Sequence, residues 1–382
     1  MPGTASKRPS PGPSQSSVQA PAGPKSALKN PEIVSKGDID GLDGAFSDAE
    51  RSRSRRGKPP GVARRAPFRP STREELSRLP RPTKKAPNGV EWLPVSAWNR
   101  ISWLWQGFST RRGGVSTAYC AEGESGELNL GFTTDDDRRN VLRNRELLAE
   151  AVTGHADTPL ATVRQIHSSV LMVGESGPSG SEPGKPLGRG DGLMTDEPGV
   201  LLGIQTADCI PVLVADRTRR VVAAFHAGWR GTVKRIVENG IGRMRMEFGS
   251  RPEDLVAAIG PGNLVCCYQV GEDVFSEFEA QFTYGRELFR EVDDSDFVRT
   301  KYPLLFMNQR APGHGSTGPS LHVDLVEANR RQLMAAGLQA RSIQIVAACT
   351  HCHPELFFSH RGSHGRCGRM LSVIGIKPGK RK

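Results

Sequence analysis

No stretch of the 382-residue chain approaches the ~18 consecutive apolar residues of a membrane-spanning helix. Nor does an apolar run follow Met1, so no secretory leader is expected and a cytoplasmic location is the default. The cysteines do not make an even set. Seven of them, at 120, 209, 266, 267, 349, 352 and 367, are spread through a chain long enough to bury a sizeable core, which argues for reduced thiols over a disulfide framework. Hydrophobic residues are scarce, at 36%, against 43 glycines and 28 prolines, so part of the chain is not expected to pack.

That shortage is local. Residues 1–90 hold 18 Lys and Arg, 8 Asp and Glu and 14 of the prolines, whereas the rest is nearly neutral, with 34 basic and 33 acidic residues. Such composition cannot bury enough apolar area to offset the entropy of ordering. It predicts a disordered basic tail over 1–88 and a folded domain over 89–382. Accessible Lys and Arg suit nucleic acid or an anionic membrane, yet RSRSRRGKPPGVARR has no interleaved aromatics for base stacking. A solubilising extension is therefore favoured, with nucleic-acid contact as the alternative. The acidic patch between Glu32 and Glu50 argues against a transit peptide, while the Ser and Arg content keeps organelle targeting open.

The folded part is organised around residues 199–231, GVLLGIQTADCIPVLVADRTRRVVAAFHAGWRG, with two apolar runs that read as buried strands. The first is broken at Asp208-Cys209 and the second stops at His226, before Gly-Trp-Arg-Gly. A carboxylate and a thiol in a core-type strand are costly to desolvate, so the interruption marks a candidate site, although a single Cys is more often a small buried hydrophobe. Around it, ATVRQIHSSVLMV reads as a strand bearing His167, and TRRGGVS as a Gly-rich turn where Arg111 and Arg112 could clamp an anion. TVKRIVENGIGRMRMEF reads as one amphipathic helix whose N-terminus points back near His226. DRRNVLRNRELLAEAV predicts a helix with solvated arginines, EDVFSEFEAQF one with core phenylalanines, and LHVDLVEANRRQLMAAGL one opened by Asp324 in capping-box spacing. Strands and helices alternate without a strict repeat. The expected fold is α/β with a mixed sheet.

His167, Cys209 and His226 each fall at or just past the end of an apolar run, where strand ends meeting at one sheet edge build pockets. Two imidazoles and a thiolate suit zinc, with copper as a second candidate, and three protein ligands leave a position open for water, the pattern of a catalytic site. A competing cluster comprises Cys349, His351, Cys352, His353, His360, His364 and Cys367. Its pairs are too close for the usual zinc finger, and its single His-x-His offers too few ligands for several coppers. Cys266-Cys267 read as core residues at a strand end.

The ordered set TRRGGVS, RQIH, GDGLMTDEPGV, TADCIPVLVAD, FHAGWRG, IGPGNLVCCYQVG, HVDLVEANRRQL and CTHCHPELFFSHR resembles the purine nucleoside phosphorylase family formerly described as laccase-domain or multicopper polyphenol oxidase proteins, over about residues 92–376. The resemblance implies an α/β fold with mixed β-sheets layered with helices in one compact catalytic domain, and zinc held by His167, Cys209 and His226. It also implies phosphorolysis of adenosine, inosine and methylthioadenosine and hydrolytic deamination of adenosine. Three departures stand out: Gln269 replaces a carboxylate in CCYQ, FFSHRG replaces FFSYRR, and Cys367 replaces a threonine in CGR. None removes a proposed ligand. On this reading Asp208 moves a proton, while Arg230 with Arg111 or Arg112 holds phosphate; the plainer alternatives are a structural carboxylate and a surface ion pair. Two other functions stay open. One is a cysteine hydrolase or amidase of the peptidoglycan-editing type, with Cys209 activated by His226; the other is a non-catalytic nucleic-acid-binding protein.

Overall fold

The computed structural model describes residues 82–120, 126–174, 184–292 and 320–379, so the expected tail, up to residue 81, lies outside the described residues. In chain order the strands are β1 (Lys84–Lys85), β2 (Glu91–Leu93), β3 (Leu104–Ser109), β4 (Arg112–Ser116), β5 (Leu160–Thr162), β6 (Leu171–Val173), β7 (Gly192–Thr195) and β8 (Leu201–Thr206). They continue with β9 (Ile210–Asp216), β10 (Val221–Ala227), β11 (Leu255–Ile259), β12 (Phe289–Val292), β13 (Ser320–Val323), β14 (Ile343–Ile345) and β15 (Met370–Ile376). The α-helices are α1 (Arg138–Thr153), α2 (Trp229–Val233), α3 (Ile236–Phe248), α4 (Glu272–Gln281) and α5 (Leu325–Ala335).

Two six-stranded sheets carry the fold, in the orders β1-β2-β3-β15-β8-β5 and β14-β11-β9-β10-β7-β6. Both are mixed: β5 lies parallel to β8, β6 to β7 and β14 to β11, among antiparallel neighbours. Alternation along each strand sorts its side chains into layers. On β9, Leu213 and Ala215 join Leu202, Ile204 and Ile374 of the other sheet, whereas Val212 and Val214 join Phe225, Ile236 and Phe275 beneath the helices. The outer face of the first sheet packs Trp92, Trp105 and Val373 against Leu147 and Leu148 of α1. Strands covered on both faces read as continuous apolar runs, which is why residues 199–227 look like core. Phe225 is fully buried, worth about 1.5–3 kcal/mol of transfer free energy. Helix α3 reaches β10 at Gly240, where a Cβ would lie 2.3 Å from the Phe225 ring.

Several local expectations are corrected. TRRGGVS forms β4 instead of a turn, because Glu127 bridges to Arg112 and Ser116, and Asn144 Oδ1 accepts the Val115 amide at 2.8 Å. In α1, Arg145 is buried, not solvated: its Nε donates to the Leu130 carbonyl at 3.0 Å, its guanidinium lies over Phe132, and burial pushes its pKa down to about 10. The segment after His226 is two helices. Arg235, at φ 57°, breaks it, held by Glu238 at 2.7 Å and by the Gln281 carbonyl at 3.0 Å. The folded region also begins earlier than residue 89, since β1 pairs with β2 and Ala86 is buried. Among the described residues no helix is long and apolar enough to cross a membrane.

Candidate active site

His226 is the penultimate residue of β10, opposite Pro211 of β9, and is 4% exposed; Cys209 lies just before β9. His167 is not on a strand. It sits between β5 and β6 at φ 55°, in a left-handed conformation that a non-glycine residue holds only where its surroundings impose it. Asp191, fully buried just before β7, does so. Its carboxylate accepts the backbone amides of Ile166, His167 (3.0 Å) and Ser168 (2.6 Å) and the Ser168 hydroxyl (2.6 Å). The same carboxylate accepts His226 Nδ1–H at 2.8 Å. Since an ionised carboxylate can only accept, His226 carries its proton on Nδ1, and Nε2 remains for a ligand.

The ligand atoms of His167, Cys209 and His226 lie within 4.8 Å of one another, with His167 Nε2 3.8 Å from Cys209 Sγ and the imidazole centroids 4.9 Å apart. Gly228 makes room for this approach, because a Cβ there would stand 2.9 Å from Cys209 Sγ. Burial alone would raise the Cys209 thiol, but the facing His226 and His167 hold it down at about 6. Burial would lower His226, yet Cys209 and Asp191 push it up to about 9. Asp191 is itself held well below the usual carboxylate range, against its burial, by His226 and Ser168. The residues fit a soft divalent metal: two nitrogens and a thiolate converge, and one histidine is oriented by a carboxylate behind it.

A cavity of about 480 Å³ opens over the trio, within the range of small-molecule sites. Arg164, Arg230, Arg361 and Arg369 line it together with Trp229 and Tyr268. Arg230 stacks on Trp229 at 4.4 Å and Arg361 on Tyr268 at 5.0 Å, which orients each guanidinium, and Arg361 also donates through one nitrogen to the Gln269 carbonyl at 2.8 Å.

The remaining expected residues are placed differently. Asp208, at φ 93° and 8% exposed, does line the trio's cavity, but its carboxylate already accepts from Thr350 Oγ1 (2.6 Å), Ser359 Oγ (2.8 Å) and the Arg361 amide (2.7 Å). It holds the 359–361 loop against the cavity. Arg111 pairs with Glu127 and donates to the Pro354 carbonyl at 2.7 Å, and Arg112 donates to the Glu355 carbonyl at 2.9 Å. Both line other cavities, so the structure does not bring them to the trio. Nor does it gather the C-terminal Cys/His set. His360 joins the trio's cavity, His351 and Cys367 line another, His353 lies 3.3 Å from Glu355, and Cys349 and Cys352 meet Cys266 and Cys267. The expected helix N-terminus facing an anion is reduced to the five-residue α2.

Asp191, Arg164, Arg361 and Arg369 were missed as site residues. Asp191 had a signal, a carboxylate between two glycines at the edge of an apolar strand, where only donors from elsewhere could offset its desolvation. The arginines had none, since their convergence joins segments distant in sequence.

Two facing mixed sheets with helices outside, and a His-Cys-His cluster backed by a buried carboxylate at one sheet edge, define an α/β protein with a pocket whose residues could hold a metal. The family model described as multi-copper polyphenol oxidoreductase laccase matches residues 105–377, and the chain belongs to that family. It is similar to a purine nucleoside phosphorylase from Bacteroides thetaiotaomicron, 35% identical over 284 residues, covering 74% of this chain and 94% of that one. It is also similar to adenosine deaminase RL5 from an unknown prokaryotic organism, 31% identical over 272 residues, 70% of this chain and 93% of that one. The crystal structure of the Bacillus licheniformis hypothetical protein YfiH superposes with a TM-score of 0.62 at 28% identity, covering 78% of this chain and 99% of the other.

Proposed function

We propose that the chain is a purine nucleoside enzyme whose pocket holds zinc on His167, Cys209 and His226, catalysing phosphorolysis of adenosine, inosine and methylthioadenosine and hydrolytic deamination of adenosine. The observation that carries this reading is the convergence of an oriented two-histidine, one-thiolate donor set with four arginines in one cavity. The names of the relatives agree with it. Bound zinc would supply Lewis-acid activation of water at neutral pH; the same donor set also suits copper.

The protein's own groups divide the remaining work. Asp191 fixes the His226 tautomer and the His167 backbone, so the donors need no reorganisation on binding. Arg230 and Arg361, each stacked on an aromatic ring, donate charge-assisted hydrogen bonds to phosphate, with Arg164 and Arg369 adding positive potential. Trp229 and Tyr268 provide apolar surface for a flat base. With its carboxylate already accepting three donors, Asp208 acts by holding Arg361 and not by moving a proton.

Omitting phosphate should abolish ribose-1-phosphate formation and spare conversion of adenosine to inosine, both read by chromatography. Arg230→Ala should slow the phosphate-dependent reaction about tenfold to a hundredfold, as the loss of one charge-assisted bond of ~1.5–3 kcal/mol dictates. Equal loss of both reactions would remove Arg230 from the phosphate site.

One observation favours a second reading. Asp191, His226 and Cys209 are linked as a carboxylate, an imidazole and a depressed thiol, the arrangement of a cysteine nucleophile. His167 weighs against it, because a second imidazole on the sulfur has no task in such a triad. Stoichiometric inactivation by iodoacetamide of metal-loaded protein would favour the nucleophile.

A further inference from the structure

Four of the cysteines lie outside the pocket and gather at one point. Cys266 and Cys267 are in the turn that follows β11, and Cys349 and Cys352 flank the turn that follows β14. Parallel β11 and β14 bring the two turns together, and their pairing extends into the bridge of Gly262 with Cys349, where the Thr350 amide donates to the Gly262 carbonyl at 2.9 Å. The four Sγ atoms all lie within 4.8 Å of one another, with Cys266–Cys352 at 3.7 Å and Cys267–Cys352 at 3.3 Å.

A tetrahedron with metal–sulfur bonds of about 2.3 Å has sulfur–sulfur edges of about 3.8 Å, close to the observed separations. Cysteines serving only as small core hydrophobes need no mutual approach of all four sulfurs. Cys266 and Cys349 are fully buried and Cys267 is 9% exposed, so ionised sulfurs here would need a cation. The amide of Asn263 supplies a second sign. Its Nδ2 is buried with no hydrogen-bond partner among the described residues, while its Oδ1 lies 3.9 Å from Cys349 Sγ. Turning the amide over, which exchanges atoms of nearly identical shape, aims that unpaired N–H at the sulfur and suits a thiolate.

We propose that Cys266, Cys267, Cys349 and Cys352 form a structural tetrathiolate site for zinc or another soft divalent ion, separate from the His167/Cys209/His226 centre. Four protein ligands close the site to substrate. Its place in the fold gives it a positioning role. Tyr268, next to Cys267, lines the active cavity; Thr350, next to Cys349, donates to Asp208; and the Asn263 amide donates to the Asp208 carbonyl at 2.7 Å. A metal here staples the two turns that hold one wall of that cavity.

Elemental analysis of the full-length protein, purified under reducing conditions, tests the site without reference to turnover. Wild type should carry two metal ions per chain, Cys209→Ser one, Cys352→Ser one and the double variant none. Should Cys352→Ser fail to fold, cobalt substitution into Cys209→Ser leaves the four cysteines untouched. It should give the thiolate-to-cobalt charge-transfer intensity of four sulfurs. The proposal is overturned if wild type binds a single ion that Cys209→Ser loses, if the cobalt spectrum of Cys209→Ser lacks thiolate bands, or if intact mass shows a Cys267–Cys352 disulfide in place of metal.

Discussion

Five donors converge on the Asp191 carboxylate: three consecutive backbone amides, one hydroxyl and the His226 ring. Asp191→Asn puts an amide donor where only acceptors fit, so both histidines lose their alignment even though neither is altered. Metal affinity should fall about 10–100-fold, the usual cost of losing a residue behind a metal ligand. Chelator competition checks this, and affinity within twofold of wild type would show that the histidines are held by other means. The direct ligands should behave more severely: His167→Ala or Cys209→Ser should empty the pocket's own metal. At this scale the three candidate ligands were legible, because each falls at or just past the end of an apolar run. Asp208 was legible as costly but not as partnered, since Thr350, Ser359 and Arg361, which donate to it, lie far along the chain.

Among the elements, α5 starts at Asp324 as its sequence signature put it, but only half of the capping box forms, since the Asp324 amide donates to the Leu288 carbonyl at 2.7 Å. Asp324 caps it by accepting the Glu327 amide at 2.9 Å, and the Glu327 carboxylate accepts from Arg330 and Arg331. Those pairs, Arg330 first, hold the Glu327 carboxyl below its usual 4.5. A depressed carboxyl pKa stabilises the fold above the unfolded value, and that contribution is lost as pH falls through the folded one. Glu327→Gln should therefore cost about 0.5 kcal/mol in urea unfolding at neutral pH, given its partial exposure, and nothing once acid has protonated the wild-type carboxyl. A cost that persists unchanged in acid would assign the effect to helix propensity. Sequence periodicity was less informative at 229–248, where the apolar stripe is continuous although the helix is not. Hydrophobic spacing reports the buried face and is blind to a single left-handed residue such as Arg235.

For the whole molecule, the boundary between tail and domain can be tested by truncation. Deleting residues 1–81 should leave the melting temperature and nucleoside turnover within error of the full chain, as expected of a segment whose composition cannot support a core. Deleting 1–88 should lower the melting temperature by a few degrees, because it removes β1, the buried Ala86 and the Lys84 ammonium over Trp92. Equal melting temperatures for the two truncations would place the start of the cooperative unit after residue 88.

Composition and periodicity alone determined that the folded part is α/β with mixed sheets, and marked residues 199–231, where the apolar pattern breaks, as the candidate site. Both follow from short-range physics: side-chain alternation reports burial, and a polar residue within a buried run is costly wherever the run lies. Only the tertiary structure decided which polar residues meet. It brought Asp191 under both histidines, took Arg111 and Arg112 away to the Glu355 side, and supplied Arg164, Arg361 and Arg369 in their place. It also joined Cys266-Cys267, which read as core, to two of the seven residues of the C-terminal Cys/His cluster. The pairing of β11 with β14 makes that junction across more than 80 residues, and no local pattern encodes a contact that two strands create by lying side by side.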